Sequence, residues 1–318
     1  MLIQNFAVVI SKYYASRCIT LIESILKYDV KIYVLCFDKK TLQIINKSIN
    51  SKKVTAIHFN KVLNFDRSLK VAIKDRKLID KIVTSRPIFL KLLFKKFKLR
   101  DIFLLDSDIF FFSNPVKINK YIKGAAVAFC KHNFSRNNNK LSKKYGKYNG
   151  GFIYVKSNIN GFDFLNKWSL LCKKWCQFDS INGKFSDQKY LEDLSTSVKN
   201  VKILNKPEIN LAPWNLEGKI IKFNEENITV NKKKLIFFHF HGLRQISKRF
   251  FILGIENYGF TITNKIKKIL FYEYVKSLSE KNITREYFWT KNNLFSKLLK
   301  VNLLFKKITK NDYLILTK

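Results

Sequence analysis

Four short runs in this 318-residue chain place chemically able side chains at telling spacings. In Ile102 to Pro115, IFLLDSDIFFFSNP, an apolar run ends in Asp106-Ser107-Asp108 and a second apolar run follows at once. Alternation along an extended chain points both carboxylates to one side, where they can share a hard divalent cation that keeps positions open for phosphate oxygens. Two carboxylates within apolar sequence are costly without such a partner. In Leu235 to Arg244, LIFFHFHGLR, His239 and His241 project from one face of the run. Either imidazole can ligate a metal, Gly242 lets the backbone approach a ligand, and the Arg244 fork suits a phosphate. Tyr148-Asn149-Gly150-Gly151 reads as a tight turn into a strand, offering an amide and bare backbone to a polyhydroxylated ligand. Lys184 to Leu191, KFSDQKYL, reads as a helix N-terminus with Asp187 as a first-turn acid.

These groups need a scaffold, and the first half of the chain alternates strand-like and helix-like patterns. Phe6 to Ile10, Val30 to Phe37, Val54 to Phe59 and Ile102 to Leu105 are apolar, strand-like runs; Ala125 to Cys130 and Phe152 to Val155 add two more. Ala15 to Lys27 and Thr41 to Ser48 have helical spacing, and Pro87 to Phe97 reads as a helix opened by its proline. Fully apolar strands separated by helices predict an α/β fold with a mostly parallel sheet covered on both faces. Open sheets of this kind bind ligands at the carboxyl ends of their strands, where Asp106 and Asp108 stand. Lys131 to Lys147, with six basic residues and no acid, reads as a mobile loop. From Ile262 to Lys318 the pattern is helical, with lysines interleaved among apolar and aromatic residues. Residues 1–245 are expected to form the catalytic domain and 246–318 a basic, mainly helical extension.

Composition narrows the partners. A net charge of +38 with 47% hydrophobic and 15% aromatic residues excludes a disordered chain. Nine of the 61 basic residues are arginine, so most of the charge reads as lysine-rich compositional drift, and no nucleic-acid-binding signature accompanies it. The five cysteines are scattered, without a CxxC pair, and read as buried reduced thiols; Cys172 and Cys176 share the spacing of one helical face. No stretch approaches the roughly 18 apolar residues of a membrane span, and a cytoplasmic location is expected.

The order DSD, then NGG before a strand, then DQ, then HFHG resembles the nucleotide-sugar glycosyltransferases of the GT-A fold, most closely the bacterial enzymes resembling glycosyltransferase family 8. Leu211-Ala212-Pro213-Trp214-Asn215 and the Trp/Cys-rich helix after NGG look like the same group, and the likeness covers residues 1 to about 245. It implies Mn²⁺ or Mg²⁺ held by Asp106 and Asp108, with Ser107 between them and His239 as a further ligand. It implies a nucleotide-sugar donor, UDP-hexose in the first instance, whose base and ribose are received by Ser11 to Tyr14, Ser11 and Tyr13 above all. Asn149 and Gly150 line the donor side, and Asp187 and Gln188 act at the donor and acceptor sugars, with Asp187 as the base if the reaction inverts. Gly242 and Arg244 belong to the phosphate side; Gln245 stands where the family often has lysine, leaving that contact to Arg244 or Lys248.

The acceptor is then a glycan or lipid-linked glycan, in surface polysaccharide or lipopolysaccharide assembly. Two other activities fit parts of the pattern. A sugar-phosphate nucleotidyltransferase would also use metal carboxylates, although no Gly-rich phosphate loop follows the first strand. A non-enzymatic nucleic-acid-binding protein would use the charge alone. The extension from Tyr258, which includes Trp289, can cap the domain or lie on an anionic inner leaflet.

Overall fold

The computed structural model describes residues 3–181, 183–224, 227–281 and 304–316. Eight strands precede residue 205: β1 (Gln4–Ile10), β2 (Val30–Cys36), β3 (Val54–His58), β4 (Asp101–Leu105), β5 (Ile109–Phe111), β6 (Val127–Lys131), β7 (Tyr148–Lys156) and β8 (Val201–Leu204). Seven of them form one sheet in the order β3-β2-β1-β4-β7-β6-β8, with β5 standing outside it. All neighbours are parallel except at β7, which is antiparallel to both β4 and β6. The fold is α/β, with a mostly parallel central sheet flanked by helices, as the alternation of the sequence predicts.

Period-two alternation splits the sheet's side chains between two cores. Along β1, Phe6, Val8 and Ile10 join the helices Ala15–Leu26 and Lys39–Ser48 on one face, while Ala7 meets the helix Leu78–Phe97 on the other. Trp168, Cys172 and Cys176 fill that second face, and all five cysteines are buried and free. Cys176 lies beyond the helix Ile159–Lys174, so the two cysteines share a core without sharing a helix.

Four other local expectations are corrected. The helix expected to open at Pro87 runs from Leu78 to Phe97 with the proline inside it. Proline forfeits one backbone hydrogen bond there, and the burial of Val83, Ile88, Phe89, Leu90 and Leu93 around it offsets that loss. Tyr148-Asn149-Gly150-Gly151 is not a turn but the start of β7. The segment 131–147 is not a bare loop: it holds a 3-10 turn at Arg136–Asn138 and a helix at Leu141–Tyr145, closed by His132 N–H donating to the Lys147 carbonyl at 2.9 Å. Residues 186–190 form turns ahead of the helix Leu191–Ser197, so Asp187 is not a first-turn acid; Glu192 and Asp193 hold that place.

The remaining strands are β9 (Ile221–Asn224), β10 (Asn227–Val230), β11 (Lys233–Lys234), β12 (Phe237–His239), β13 (Arg244–Gln245), β14 (Phe250–Ile252) and β15 (Tyr313–Ile315). β9 to β11 make a small antiparallel sheet, and β12 pairs antiparallel with β5. The C-terminal region is less helical than its sequence pattern suggests. The helix Asn264–Glu280 packs Leu270, Phe271, Tyr274 and Val275 into a third core, and β15 pairs with β14 because Leu314 belongs to that same core. Trp289 and the rest of 282–303 lie outside the described residues. Among the described residues no helix is long and apolar enough to cross a membrane.

Trp168 is wholly buried, and its Nε1–H donates to the Asp187 carbonyl at 3.0 Å, so it joins the core to the turn that carries Asp187. Trp168→Ala is expected to destabilise the fold by about 3–5 kcal/mol, read by urea unfolding.

Candidate active site

β1 lies between β2, the next strand in sequence, and β4, which starts the other half of the sheet. The strand order therefore reverses at β1/β4, and the crevice beyond their carboxyl ends is where such a sheet holds a ligand. Ser11 follows β1 there and Asp106-Ser107-Asp108 follows β4. Two antiparallel strands bring further chemistry to the same edge. Because β7 runs against β4, its first residues meet the last of β4: Phe152 pairs with Leu105, and Asp106 N–H donates to the Gly151 carbonyl at 2.9 Å. Because β12 runs against β5, His239 pairs with Ile109, and Phe240 N–H donates to the Asp108 carbonyl at 2.7 Å.

These pairings assemble a compact donor set. Asp108 Oδ1 is 3.0 Å from His239 Nε2, and one ligand atom each of Asp108, His239 and His241 lies within 4.8 Å of the others. Asp106 stands at the edge of the set, 3.8 Å from His239 Nε2 and 3.3 Å from the Arg86 guanidinium. Asn210 Oδ1, 3.4 Å from His239 Nδ1, is the acceptor that keeps a proton on that nitrogen and turns Nε2 toward Asp108. Burial alone would raise the Asp108 carboxyl; His239, then His241 and Arg17, pull it well below the ordinary carboxylate range. Burial would lower His239, and Asp108 followed by Asp106 lifts it above the usual imidazole value. His241 is held below that value by burial, with Asp108 opposing. One carboxylate and two imidazoles within reach of one another fit a divalent metal ion.

A second buried cluster is centred on Arg86, which projects from the helix Leu78–Phe97. Its Nη1 is 2.9 Å from Asp187 Oδ2, and its Nη2 donates to the Gly150 carbonyl. The side chains of Arg86 and Asp187 are only 7% and 2% exposed, so neither charge has water to fall back on. Burial pushes the Asp187 carboxyl up and the guanidinium pulls it back. Gln188 beside it is locked by the backbone: Gly150 N–H donates to its Oε1 at 3.1 Å, and its Nε2 donates to the Tyr145 carbonyl at 2.9 Å.

The two clusters meet through Asn149, whose Oδ1 accepts from Asn210 Nδ2 at 3.1 Å and from Gly151 N–H at 3.0 Å. Gly151 is required by the approach of the histidine: a Cβ there would sit 2.5 Å from His239 Cε1. His132, on the other side of Asn149, is kept neutral by burial, which pushes it down to about 3. Trp214 meets His132, His239 and His241 edge to face, with centroids 5.6, 5.0 and 5.5 Å away. Its Nε1–H is buried with no hydrogen-bond partner among the described residues.

All of this lines a pocket of about 930 Å³. Of the residues expected from sequence, Ser11, Tyr13, Asp106, Ser107, Asp108, Asn149, Asp187, Gln188 and His239 face it, together with His241. Gly150 lies behind the wall as a backbone partner of Arg86 and Gln188, while Gly242 and Arg244 are not among the lining residues. Gly242 takes a left-handed φ of 80° in the turn before β13, and Arg244 is exposed on β13. Sequence inspection overlooked Arg86, His132 and Asn210, and missed the reach of Asn257 and Tyr258 into the pocket. Arg86 had a visible signal, a lone arginine directly before the apolar run that follows Pro87, in a lysine-rich chain. The others had none.

Residues 29–244 match the sequence profile of a family described as nucleotide-diphospho-sugar transferase. Two Bacillus subtilis (strain 168) proteins described as uncharacterised are similar to this chain. YfnF is 27% identical over 253 residues, 76% of this chain and 82% of its own; YfnD is 24% identical over 254, 78% and 81%. Among solved structures, that of the galactosyltransferase LgtC with donor and acceptor sugar analogues is 10% identical. It covers 84% of this chain and 100% of its own, with a TM-score of 0.49.

Arg86→Met is expected to cost about 3–5 kcal/mol, because it leaves Asp187 buried and unpaired, whereas Arg86→Met/Asp187→Leu recovers most of that loss. Urea unfolding of the two variants checks it; equal destabilisation of both would contradict the pairing. Trp214→Phe should keep the packing and the melting temperature while weakening ligand affinity about tenfold, the value of one hydrogen bond made only to the ligand.

Proposed function

The chain belongs to the nucleotide-diphospho-sugar transferase family, and on that footing we propose that this GT-A-type glycosyltransferase moves a hexose from a UDP-sugar to a glycan or lipid-linked glycan acceptor, with Mn²⁺ or Mg²⁺ held by Asp108, His239 and His241. The observation that carries the proposal is the convergence of those three donors within 4.8 Å, at the carboxyl ends of β4 and β12, on a pocket that Asp187 and Gln188 close from the other side. Asp106 completes the metal edge. Bound there, the ion offsets negative charge gathering on the departing nucleoside diphosphate.

The chain's own residues supply the rest. Ser11 and Tyr13, at the end of β1, receive the nucleoside. Arg86 holds Asp187 and the Gly150 carbonyl in place, and the backbone locks Gln188, so both side chains meet the reacting sugar in one fixed geometry. Asn149, fixed by Asn210, presents its amide to the donor. Trp214 offers the pocket a donor that is unused within the described protein. Phe134, Phe178 and Phe185 give the pocket an apolar part of its wall that limits water there.

Surface polysaccharide or lipopolysaccharide assembly is the setting this chemistry fits, and the net charge of +38 favours a peripheral seat on an anionic leaflet. The helix Asn264–Glu280 does not provide the apolar face for that seat, since Leu270, Phe271 and Tyr274 are packed inside. The division into a catalytic domain, 1–245, and a C-terminal extension, 246–318, is part of the same proposal.

Two measurements test it. A thermal-shift series of nucleoside diphosphates with Mn²⁺ should show selective stabilisation by UDP, about 2.7 kcal/mol at a hundredfold excess over Kd, and chelation should remove it. Asp108→Ala should abolish transfer from the UDP-sugar while leaving the fold intact. Full metal-dependent turnover by this variant would refute the metal assignment.

A further inference from the structure

A second concave site lies at the far end of the same strand pair. Ile236 precedes β12 and His239 ends it, so this site and the metal donors are separated by roughly 10 Å of extended chain. Its volume is about 240 Å³, and Lys117, Lys120, Tyr121, Glu208, Lys233 and Lys234 line it. The residues come from four places: the turn Pro115–Ile118, the helix Asn119–Ile122, the segment before Ile209, and β11. None contributes to the catalytic pocket.

Two features of this site call for a ligand. The first is charge of one sign held together: Lys117, Lys120, Lys233 and Lys234 line one small cavity, and the charges of Lys234 and Lys120 bear on Lys117. Lys117 is kept below the ordinary lysine range by partial burial and then by those two neighbours. Ammonium groups crowded in this way repel unless an anion lies between them. The second is Glu208, 3% exposed. One carboxylate oxygen accepts from the Tyr121 hydroxyl, while the other is buried with no hydrogen-bond partner among the described residues. A buried carboxylate oxygen without a donor is costly, and a ligand hydroxyl supplies one.

We propose that this pocket is a second binding site, distinct from the catalytic one, for a phosphate ester that also carries free hydroxyls, with the lysines holding the phosphate and Glu208 accepting from a hydroxyl. The same chemistry is presented by a soluble polyol or sugar phosphate and by a glycerol-type lipid headgroup. The proposal does not depend on the sugar-transfer reaction, since it concerns binding alone.

The test is calorimetric titration of the full chain, in chelator and without any nucleotide, using glycerol 3-phosphate and ethyl phosphate, which share a charge but differ in hydroxyls. In parallel, the chain is sedimented with phosphatidylglycerol and with phosphatidylcholine vesicles. The wild type should bind glycerol 3-phosphate at least fivefold more tightly than ethyl phosphate, or bind phosphatidylglycerol vesicles selectively; the first outcome identifies a soluble ester and the second a headgroup. Lys117→Ala/Lys234→Ala should weaken that binding at least tenfold. Its melting temperature without ligand should not fall, because it relieves repulsion at exposed positions. Binding unaffected by the double substitution, equal affinity for the two soluble esters without vesicle binding, or no binding in either arm would each overturn the proposal.

Discussion

A guanidinium sealed from water must be met on every side by acceptors, and the arrangement around Arg86 follows from that requirement. Arg86 projects from the buried side of its helix, where its side chain is only 7% exposed, so the charge cannot escape to solvent. Asp187, the Gly150 carbonyl and Asp106 answer it from three different segments, a turn, a strand and the loop after β4. One side chain thus ties together parts of the chain that sequence leaves far apart. It also explains why Asp187 is buried rather than solvated at a helix end.

The second constraint is strand direction. A purely parallel sheet would deliver only the loops after its strands to the binding edge. Reversing β7 brings the beginning of a strand there, so Asn149 and Gly151 reach the same space as Asp106. Reversing β12 against β5 does the same for His239, whose backbone is then tied to that of Asp108 through Phe240. The candidate metal donors Asp108 and His239 therefore lie at two strand ends fixed by a backbone ladder, which gives the site rigidity that surface loops alone would lack. Trp214 fills the angle between three imidazoles and limits how far any of them can turn.

Charge has two separate roles in this molecule. Most of the lysines are on the surface and set a long-range positive field that favours phosphorylated ligands. The pocket is lined instead by a few acids and imidazoles whose protonation is governed by burial and by one another. Around Lys117 and Lys234 the same surplus becomes local, because the chain brings ammonium groups together beside a half-satisfied Glu208.

The amino-acid sequence was sufficient for β1 to β4, β6 and β7, since each contains an apolar run bounded by helix or turn signals, and for the candidate residues that stand out as acids or histidines within apolar sequence; short polar strands such as Lys233–Lys234 and Arg244–Gln245 carry no such pattern. DSD and HFHG are legible for that reason, and so is the family likeness they carry. Local pattern misread Pro87, Gly150 and Asp187. A proline looks like a helix start whenever its neighbours' tertiary packing is ignored, a double glycine looks like a turn unless a histidine is known to press against it, and an acid before an apolar run looks like a helix acid until a buried arginine claims it. Which Asp joins the histidines, which residue answers Arg86, and the closing of the pocket by Trp214, Asn257 and Tyr258 were decided only by the tertiary structure. Those outcomes depend on strand order and direction, which are set by contacts between residues far apart in sequence, as Phe6 with Phe103, Leu105 with Phe152 and Ile109 with His239, and leave no periodic trace in the chain.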